Sequence, residues 1–304
     1  RPIAFPSSYE EAVARLKDEA LPSVAQLSDT SDTELVALSD TSLSPAVFLT
    51  SDGWMLSHGS VFVDRAITQT GTCEIETYLE DFLTEFVFFK CNSQSQPVVG
   101  FGSGFDVSAG EQVFVAQTPN AFISTYVSEV FWSTDIPHVL DEPSRRLVLE
   151  HASIKEGSPV FNLSSKLIGV VEGFRSTGEA IVLPIDSLLP QFTGLLEGDE
   201  ISRELLGALG VDLAHTVVPE EDSRGYTNGV LVYGPARTKY GAYYKLEEIE
   251  ADDIITAINK ESISASRSID ELLLSYGVGD EVVLTVDRDS EVIDVTLVLG
   301  QWGN

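Results

Sequence analysis

The side chains best suited to covalent chemistry in this chain are its serines and its four histidines, His58, His138, His151 and His215. A histidine within hydrogen-bond reach of a serine hydroxyl accepts its proton and makes the serine a nucleophile, provided that a carboxylate orients the imidazole. His151 lies only seven residues before Ser158. The chain therefore contains the residue types that serine hydrolase chemistry requires. Whether these groups come together depends on the fold.

Two cysteines, Cys73 and Cys91, flank a segment that can turn back on itself. Such a pair forms either a disulfide or two buried thiols. Neither cysteine has a second cysteine or a histidine at the spacing of zinc ligands. We expect no metal site and no cofactor.

The charge of the chain restricts its partners. Eighteen basic residues against 48 acidic residues give a net charge of −30, which repels nucleic acid and anionic lipid. The acidic residues are spread along the chain, as on a solvated surface. No apolar run is long enough to span a membrane, so we expect membrane attachment only through an anchor outside this sequence, which begins at Arg1 without an initiator methionine.

The pattern of apolar residues predicts a mainly β protein. An amphipathic helix is predicted over residues 8–20, ending before Pro22. From there to about residue 195 the sequence consists of short apolar runs separated by turn residues, which favours an antiparallel barrel or sandwich. The ten runs are ELVAL, AVFLT, WMLS, FVFFK, PVVGF, QVFVAQ, RLVLE, PVFNL, LIGVVEG and AIVLPI.

A change of pattern near residue 197 predicts two domains, 1–197 and 198–304. Helix-like spacing with two glycines over residues 193–210 interrupts the β pattern. A second cycle of short elements follows, with a helix at SRSIDELLLSYG. It ends in a hairpin whose turn is the acidic segment 287–291.

Residues 249–300 resemble the C-terminal two-thirds of a PDZ domain of the bacterial HtrA type, through IEADDIITAIN and GDEVVLTVDRDSEVIDVTLVLG. Asp252 and Lys260 stand where that family has glycines. The resemblance implies that an extended peptide adds to a sheet edge and that loop amides hold its terminal carboxylate. The matching loop is Ala208, Leu209, Gly210 and Val211, and the side-chain pocket is Ile269, Leu272 and Leu273. Alternatively, Gly210 only caps the preceding helix and the three apolar residues are core.

Four blocks in the first 197 residues resemble, in order, the protease domain of the HtrA/DegP-type family. They are SPAVFLTSDGWMLSHGSVFVDRA (44–66), FVFFKCNSQSQPVVGFGSGFDVSAGEQVFVAQTPNAF (86–122), HASIKEGSPVFNLSSKLIGVVEG (151–173) and AIVLPIDSLLPQF (180–192). The resemblance implies a trypsin-like double six-stranded β-barrel followed by a PDZ domain, a β-sandwich with helices.

The same alignment puts Ser60 at the position of the general-base histidine, Glu85 at that of the orienting aspartate and Ser158 at that of the nucleophile. Read without a gap, Glu156 takes the nucleophile position instead. Serine does not accept a proton near neutral pH. His58 is a stray candidate base, two residues from the required position on a strand that resists slipping. The compressed turn Glu156–Pro159 also compromises the oxyanion hole.

We therefore expect a degenerate HtrA-like pseudoprotease that binds peptide or protein C-termini as a scaffold or quality-control factor. Two alternatives stay open: an active serine endopeptidase with a non-standard site at Ser158, and a chaperone-like binder of unfolded chains. The family also implies an extracytoplasmic location, which favours a Cys73–Cys91 disulfide, and a homo-oligomer, commonly a trimer built through the N-terminal region.

Overall fold

A computed structural model describes residues 5–29, 43–59, 62–132, 137–150, 153–198, 201, 203–237, 244, 246 and 248–301. These residues form two compact units. The first comprises residues up to 131 together with 145–189, and the second comprises 132–144 together with 190–304. The division lies close to the boundary predicted at residue 197, with one addition: residues 132–144 belong to the second unit. Within the described ranges no helix is long and apolar enough to cross a membrane.

Helix α1 (Phe5–Arg15) opens the first unit and continues into a π-helical turn, Leu16–Ala20, and a 3-10 turn, Leu21–Ser23. Ala12, Leu16 and Ala20 are buried, as the 8–20 periodicity predicts. Pro22 lies within this 3-10 turn and has no N–H to continue the α-helical ladder, and the helical segment ends at Ser23.

The first barrel closes in the strand order β1-β2-β3-β6-β5-β4. Its strands are β1 (Val24–Ser28), β2 (Ser44–Phe48), β3 (Trp54–His58), β4 (Arg65–Thr68), β5 (Gly71–Asp81) and β6 (Phe86–Cys91). Phe48, Met55 and Phe89 are fully buried at its centre, and each such side chain stabilises the fold by about 1.5–3 kcal/mol. A disulfide joins Cys73 to Cys91 in the same core, with their Cα atoms 5.9 Å apart.

The second barrel closes in the order β10-β13-β12-β11-β7-β8. Its first two strands are β7 (Gln112–Thr118) and β8 (Ala121–Trp132). After β8 the chain forms β9 (His138–Val139), which belongs to the second unit. It then returns to the barrel for β10 (Arg145–Leu149), β11 (Pro159–Phe161), β12 (Leu167–Phe174) and β13 (Ala180–Pro184). The predicted mainly β fold with a double six-stranded barrel is thereby confirmed.

The second unit is built on a sheet with the order β20-β19-β17-β16-β15-β9, where β18 pairs with β17. Helix α2 (Leu189–Glu197) leads into it. The remaining elements are β14 (Glu204–Leu205), β15 (Ala208–Asp212), α3 (Glu220–Ser223), β16 (Val230–Pro235), β17 (Ile254–Ile258), β18 (Glu261–Ser262), α4 (Ile269–Leu273), β19 (Glu281–Arg288), β20 (Glu291–Val298) and β21 (Gly300–Gln301). The predicted hairpin is present, with Arg288 paired to Glu291 across the turn.

Some local expectations need correction. The helical spacing predicted over 193–210 ends at Glu197, since Glu204–Leu205 and Ala208–Asp212 are strands. Pairing of β15 with β16 overrides the helical propensity there, so Gly210 does not cap a helix. PVVGF forms no strand apart from an isolated bridge between Phe101 and Leu167. ELVAL lies outside the described residues, and β1, β4, β5 and β8 were not predicted.

The two positions where the PDZ pattern has glycine keep a left-handed backbone although the residues differ. Asp252 has φ +70° and Lys260 has φ +71°. Such a conformation costs a non-glycine residue on the order of 1 kcal/mol. The neighbouring Asp253 is buried and receives two hydrogen bonds from Arg288, at 2.8 and 2.7 Å. These contacts fix the turn in the shape that glycine would adopt more easily.

Candidate functional site

The two barrels meet where the loop before β11 approaches the end of β3. Gly157, with φ +79°, lies so close that a Cβ atom built on it would be 2.6 Å from Ser57 Oγ, 2.8 Å from Pro45 O and 3.4 Å from the His58 nitrogen. Ser57 Oγ itself donates a 2.6 Å hydrogen bond to Pro45 O. The predicted nucleophile loop is therefore brought to the predicted base strand, as a trypsin-like site requires.

Ser158 is completely buried. Its side chain has no exposed surface, and its Oγ has no hydrogen-bond partner among the residues described. Its N–H donates to Lys155 O at 3.2 Å, and the Gly157 N–H donates to Val171 O at 2.8 Å. Both amides of the turn are thus bonded within the protein. Glu156, the alternative at this position, is exposed.

His58 is the last residue of β3 and is only partly exposed. The β3–β6 register pairs it with Phe86, and the two rings make an edge-to-face contact with centroids 4.8 Å apart. Its Nδ1 is buried with no hydrogen-bond partner in the described part of the chain. This fixed register holds His58 on the strand rather than in a loop, and within the described residues no hydrogen bond links its ring to Ser158 Oγ.

Glu85 reaches the same strand end by its backbone. Its carbonyl accepts a hydrogen bond from the Gly59 N–H at 3.2 Å, but its side chain is exposed and its φ is +59°. The buried carboxylate here is Asp81, which accepts from Thr84 Oγ1 at 2.7 Å and from the Leu83 N–H at 3.3 Å. Asp81 was not predicted from the sequence. It is the last residue of β5, and that strand was itself not predicted.

Ser60 and His151 lie outside the described residues. The other two histidines belong to the second unit. His138 is in β9, and His215 has its ring nitrogens 3.0 Å from Asp212 Oδ2 and 3.0 Å from Ala265 O.

The predicted peptide site of the second unit centres on strand β15. Ala208, Leu209, Gly210 and Val211 all lie in this strand, which pairs with β16 on one side and with β9 on the other. Ile269, Leu272 and Leu273 are buried in one apolar cluster together with Leu140, the residue after β9. The loop and helix residues predicted from the sequence are thus parts of one region of the fold.

The amides that hold a carboxylate come just before β15. Leu206 N–H donates to Asp141 Oδ1 at 2.5 Å and Gly207 N–H donates to Asp141 Oδ2 at 3.0 Å. Gly207 has φ +75°, which suits glycine. Leu206-Gly207-Ala208 has the same apolar-glycine-apolar pattern as the predicted segment, three residues earlier. Leu206, Gly207 and Asp141 were not predicted from the sequence. The pattern Leu206-Gly207-Ala208 was the sequence feature that pointed to these amides.

The Asp141 carboxyl is almost completely buried. Burial raises the pKa of this group to about 7, repulsion from Glu204 also raises it, and the Leu206 and Gly207 amides act in the opposite direction. The carboxyl consequently titrates near neutral pH.

No family model matches the chain. Among curated proteins, a probable periplasmic serine endoprotease DegP-like of Pseudomonas fluorescens is 23% identical over 276 residues, covering 85% of this chain and 56% of that protein. A protein of the same description from Rickettsia prowazekii is 25% identical over 229 residues, covering 71% of this chain and 44% of the relative. The chain spans about half the length of the curated relatives it matches.

Solved structures give the same result for the fold. The HtrA-type protease AlgW with tripeptide superposes with a TM-score of 0.67 at 18% identity, covering 96% of this chain and 97% of that one. The same protease with decapeptide gives 0.64 at 16% identity, covering 96% and 98%. The resemblance to HtrA/DegP-type serine proteases that the sequence predicts is confirmed.

Replacing Gly157 by alanine tests the close approach of the two barrels. We expect Gly157→Ala to lower the free energy of unfolding by more than about 2 kcal/mol, because the new methyl group meets the Pro45 carbonyl. Gly178→Ala is the matched control: φ is +90° but nothing lies within 4 Å of its Cβ position, so only the backbone cost of about 1 kcal/mol applies. Urea denaturation measures both. Equal losses would contradict the close approach.

The pKa of Asp141 predicts a pH-dependent stability. Between about pH 4 and pH 7 the folded protein keeps a proton that the unfolded chain has released, so the contribution of Asp141 to stability is complete below this range and falls as pH rises through it. We expect wild type to lose on the order of 1–4 kcal/mol across this range relative to Asp141→Asn. Urea denaturation at several pH values measures the difference, with Asp106→Asn as an exposed control. Parallel pH curves for wild type and Asp141→Asn would refute the prediction.

Proposed function

We propose that this HtrA/DegP-type chain is a pseudoprotease, which keeps the double barrel as a scaffold and binds peptides or proteins without hydrolysing them. The observation that carries the proposal is the state of the turn at Ser158. Its hydroxyl is fully buried, and the amides of Gly157 and Ser158 are bonded to Val171 and Lys155.

The chemistry of acyl transfer explains why this matters. A tetrahedral intermediate needs backbone donors directed at its oxyanion, and losing one such donor costs a factor of about 10²–10³ in rate. A trypsin-like oxyanion hole uses the amide of the nucleophilic serine and that of the residue two positions before it. Here the Ser158 amide already has an acceptor, the Lys155 carbonyl. In the family resemblance, Ser60 stands at the position of the general-base histidine. The Glu85 carboxylate is exposed rather than directed at a histidine. Nucleophile activation and oxyanion stabilisation are both unsupported.

We further propose that the second unit is a PDZ-type domain that binds peptide C-termini. Two features of this unit support it. The Leu206 and Gly207 amides accommodate a carboxylate, and the β15 edge pairs with an added antiparallel strand. Both are what recognition of a terminal carboxylate by strand addition needs. Two solved structures similar to this chain are of the HtrA-type protease AlgW with a decapeptide and with a tripeptide.

An extracytoplasmic location is part of the same proposal. The relatives are described as periplasmic, and the Cys73–Cys91 disulfide suits an oxidising compartment. The oligomer that the family resemblance implies, a trimer in many members, belongs to this proposal as well.

The absence of proteolysis is directly testable. We expect no turnover of casein and no labelling of Ser158 by a fluorophosphonate, with or without added peptide, because the hydroxyl is buried and forms no hydrogen bond to a base among the described residues. Labelling is read by mass spectrometry of the tryptic peptide that contains Ser158. Casein cleavage that Ser158→Ala abolishes would establish the alternative, an active endopeptidase with a non-standard site.

Peptide-end recognition predicts that binding depends on a free carboxylate. A fluorescent peptide ending in leucine should bind with a Kd at least about tenfold lower than the same peptide with an amidated end, a difference of about 1.4 kcal/mol. Fluorescence anisotropy measures both. Equal affinities would favour a chaperone-like binder of unfolded chains instead.

A further inference from the structure

The sheet edge expected to receive a peptide carries a segment of the chain itself. Residues 137–144, called here the groove strap, lie in sequence between β8 and β10 but belong to the second unit. Their strand β9 adds to β15 in antiparallel register, with Val139 opposite Leu209 and His138 opposite Gly210. The Leu140 N–H donates to Ala208 O at 3.0 Å.

The groove strap presents the three features by which a peptide end is recognised. Its backbone extends the sheet, as an added peptide strand does. Leu140 is fully buried in the cluster that contains Leu272 and Leu273 of α4. It packs so closely over Gly210 that a Cβ atom there would be 2.9 Å from Leu140 Cδ2. The next residue, Asp141, places its carboxylate on the Leu206 and Gly207 amides.

Further contacts hold the C-terminal end of the groove strap and the chain ahead of the strap. At its C-terminal end the Ser144 N–H and Oγ donate to the two carboxylate oxygens of Asp270 in α4, each at 2.9 Å. Ahead of its N-terminal end, the Trp132 ring stacks on the His215 ring at 4.0 Å with an interplanar angle of 14°. Asp270 lies in helix α4, which also supplies the pocket residues. The groove strap is therefore hydrogen-bonded to one side of the groove.

Packing of apolar surface does not explain why residue 141 is an aspartate. An edge strand that merely covered apolar surface would need no carboxylate at this point, and burying one is costly unless it is hydrogen-bonded. Here the carboxylate is buried and both its oxygens face backbone amides. An aliphatic side chain followed by a carboxylate reproduces the end of a peptide chain that terminates in leucine.

We infer that the groove strap is a built-in ligand that closes the peptide groove of the second unit, and that an external chain ending in a leucine-like residue with a free carboxylate binds by displacing it. The inference rests on the proposed peptide-binding function and adds its ligand class and its regulation. A groove that is closed in nine of ten molecules binds its ligand about tenfold more weakly than an open one.

The test uses the full chain and a fluorescein-labelled peptide with the sequence of residues 135–140, ending at leucine with a free carboxylate. The open variant combines Leu140→Ser with Asp141→Ala, which removes the apolar anchor and the carboxylate of the strap. Its matched control combines Leu163→Ser with Asp106→Ala, both at exposed positions of the second barrel. Circular dichroism checks that each variant is folded, and anisotropy gives Kd.

We expect the open variant to bind the peptide at least about tenfold more tightly than wild type, and the control to match wild type. Equal binding by wild type and the open variant would overturn the inference while leaving the peptide-binding function intact. Binding by neither protein would overturn both, because there would then be no ligand for the strap to exclude.

A locked variant keeps the test decisive if the open variant does not fold. Val139 and Leu209 are directly opposite in the antiparallel pair, next to the hydrogen-bonded pair Leu140–Ala208, and such positions accept a cross-strand disulfide. Oxidised Val139→Cys/Leu209→Cys should lose peptide binding, and reduction should restore it to the level of wild type treated with the same reductant. Equal binding before and after reduction would overturn the inference.

Discussion

The hydrogen bonds from the Leu206 and Gly207 amides to the Asp141 carboxylate organise the second unit's exposed edge. Two backbone donors that precede a strand need an acceptor if they are buried, because an unpaired amide costs about 1–3 kcal/mol. Asp141 supplies both acceptors at once and thereby fixes where β9 lies on β15. Leu140 is then directed into the apolar cluster, and the edge of the sheet is covered. The hydrogen-bonding capacity of both amides is in this way satisfied within the chain.

The first unit depends on a different constraint, the space available at Gly157. Because the loop packs directly against Pro45 and Ser57, the two barrels meet as closely as a two-barrel active site needs. The same compression turns the Gly157 and Ser158 amides toward Val171 and Lys155. The Ser158 hydroxyl in this loop is fully buried.

Both units retain backbone shapes after the usual residues have been replaced. Asp252 and Lys260 occupy left-handed positions where the family pattern has glycine, and Arg288 stabilises the first of these turns through Asp253. Asp289 and Ser290 likewise adopt positive φ in the turn of the last hairpin. Tertiary contacts and strand pairing compensate for the local cost, so the loss of a glycine does not imply the loss of a turn.

The sequence by itself determined the mainly β class, the amphipathic first helix and most barrel strands, because alternation of apolar residues is local information. It also determined the family resemblance and the replacement at Ser60, since residue order alone decides these. Only the tertiary structure decided that Ser158 is buried and that the Leu206 and Gly207 amides donate to the Asp141 carboxylate. Those properties depend on residues far apart in the chain, such as Asp141 and Leu206 or Gly157 and Pro45. The spacing of apolar residues within one segment does not indicate which distant backbone groups that segment will contact.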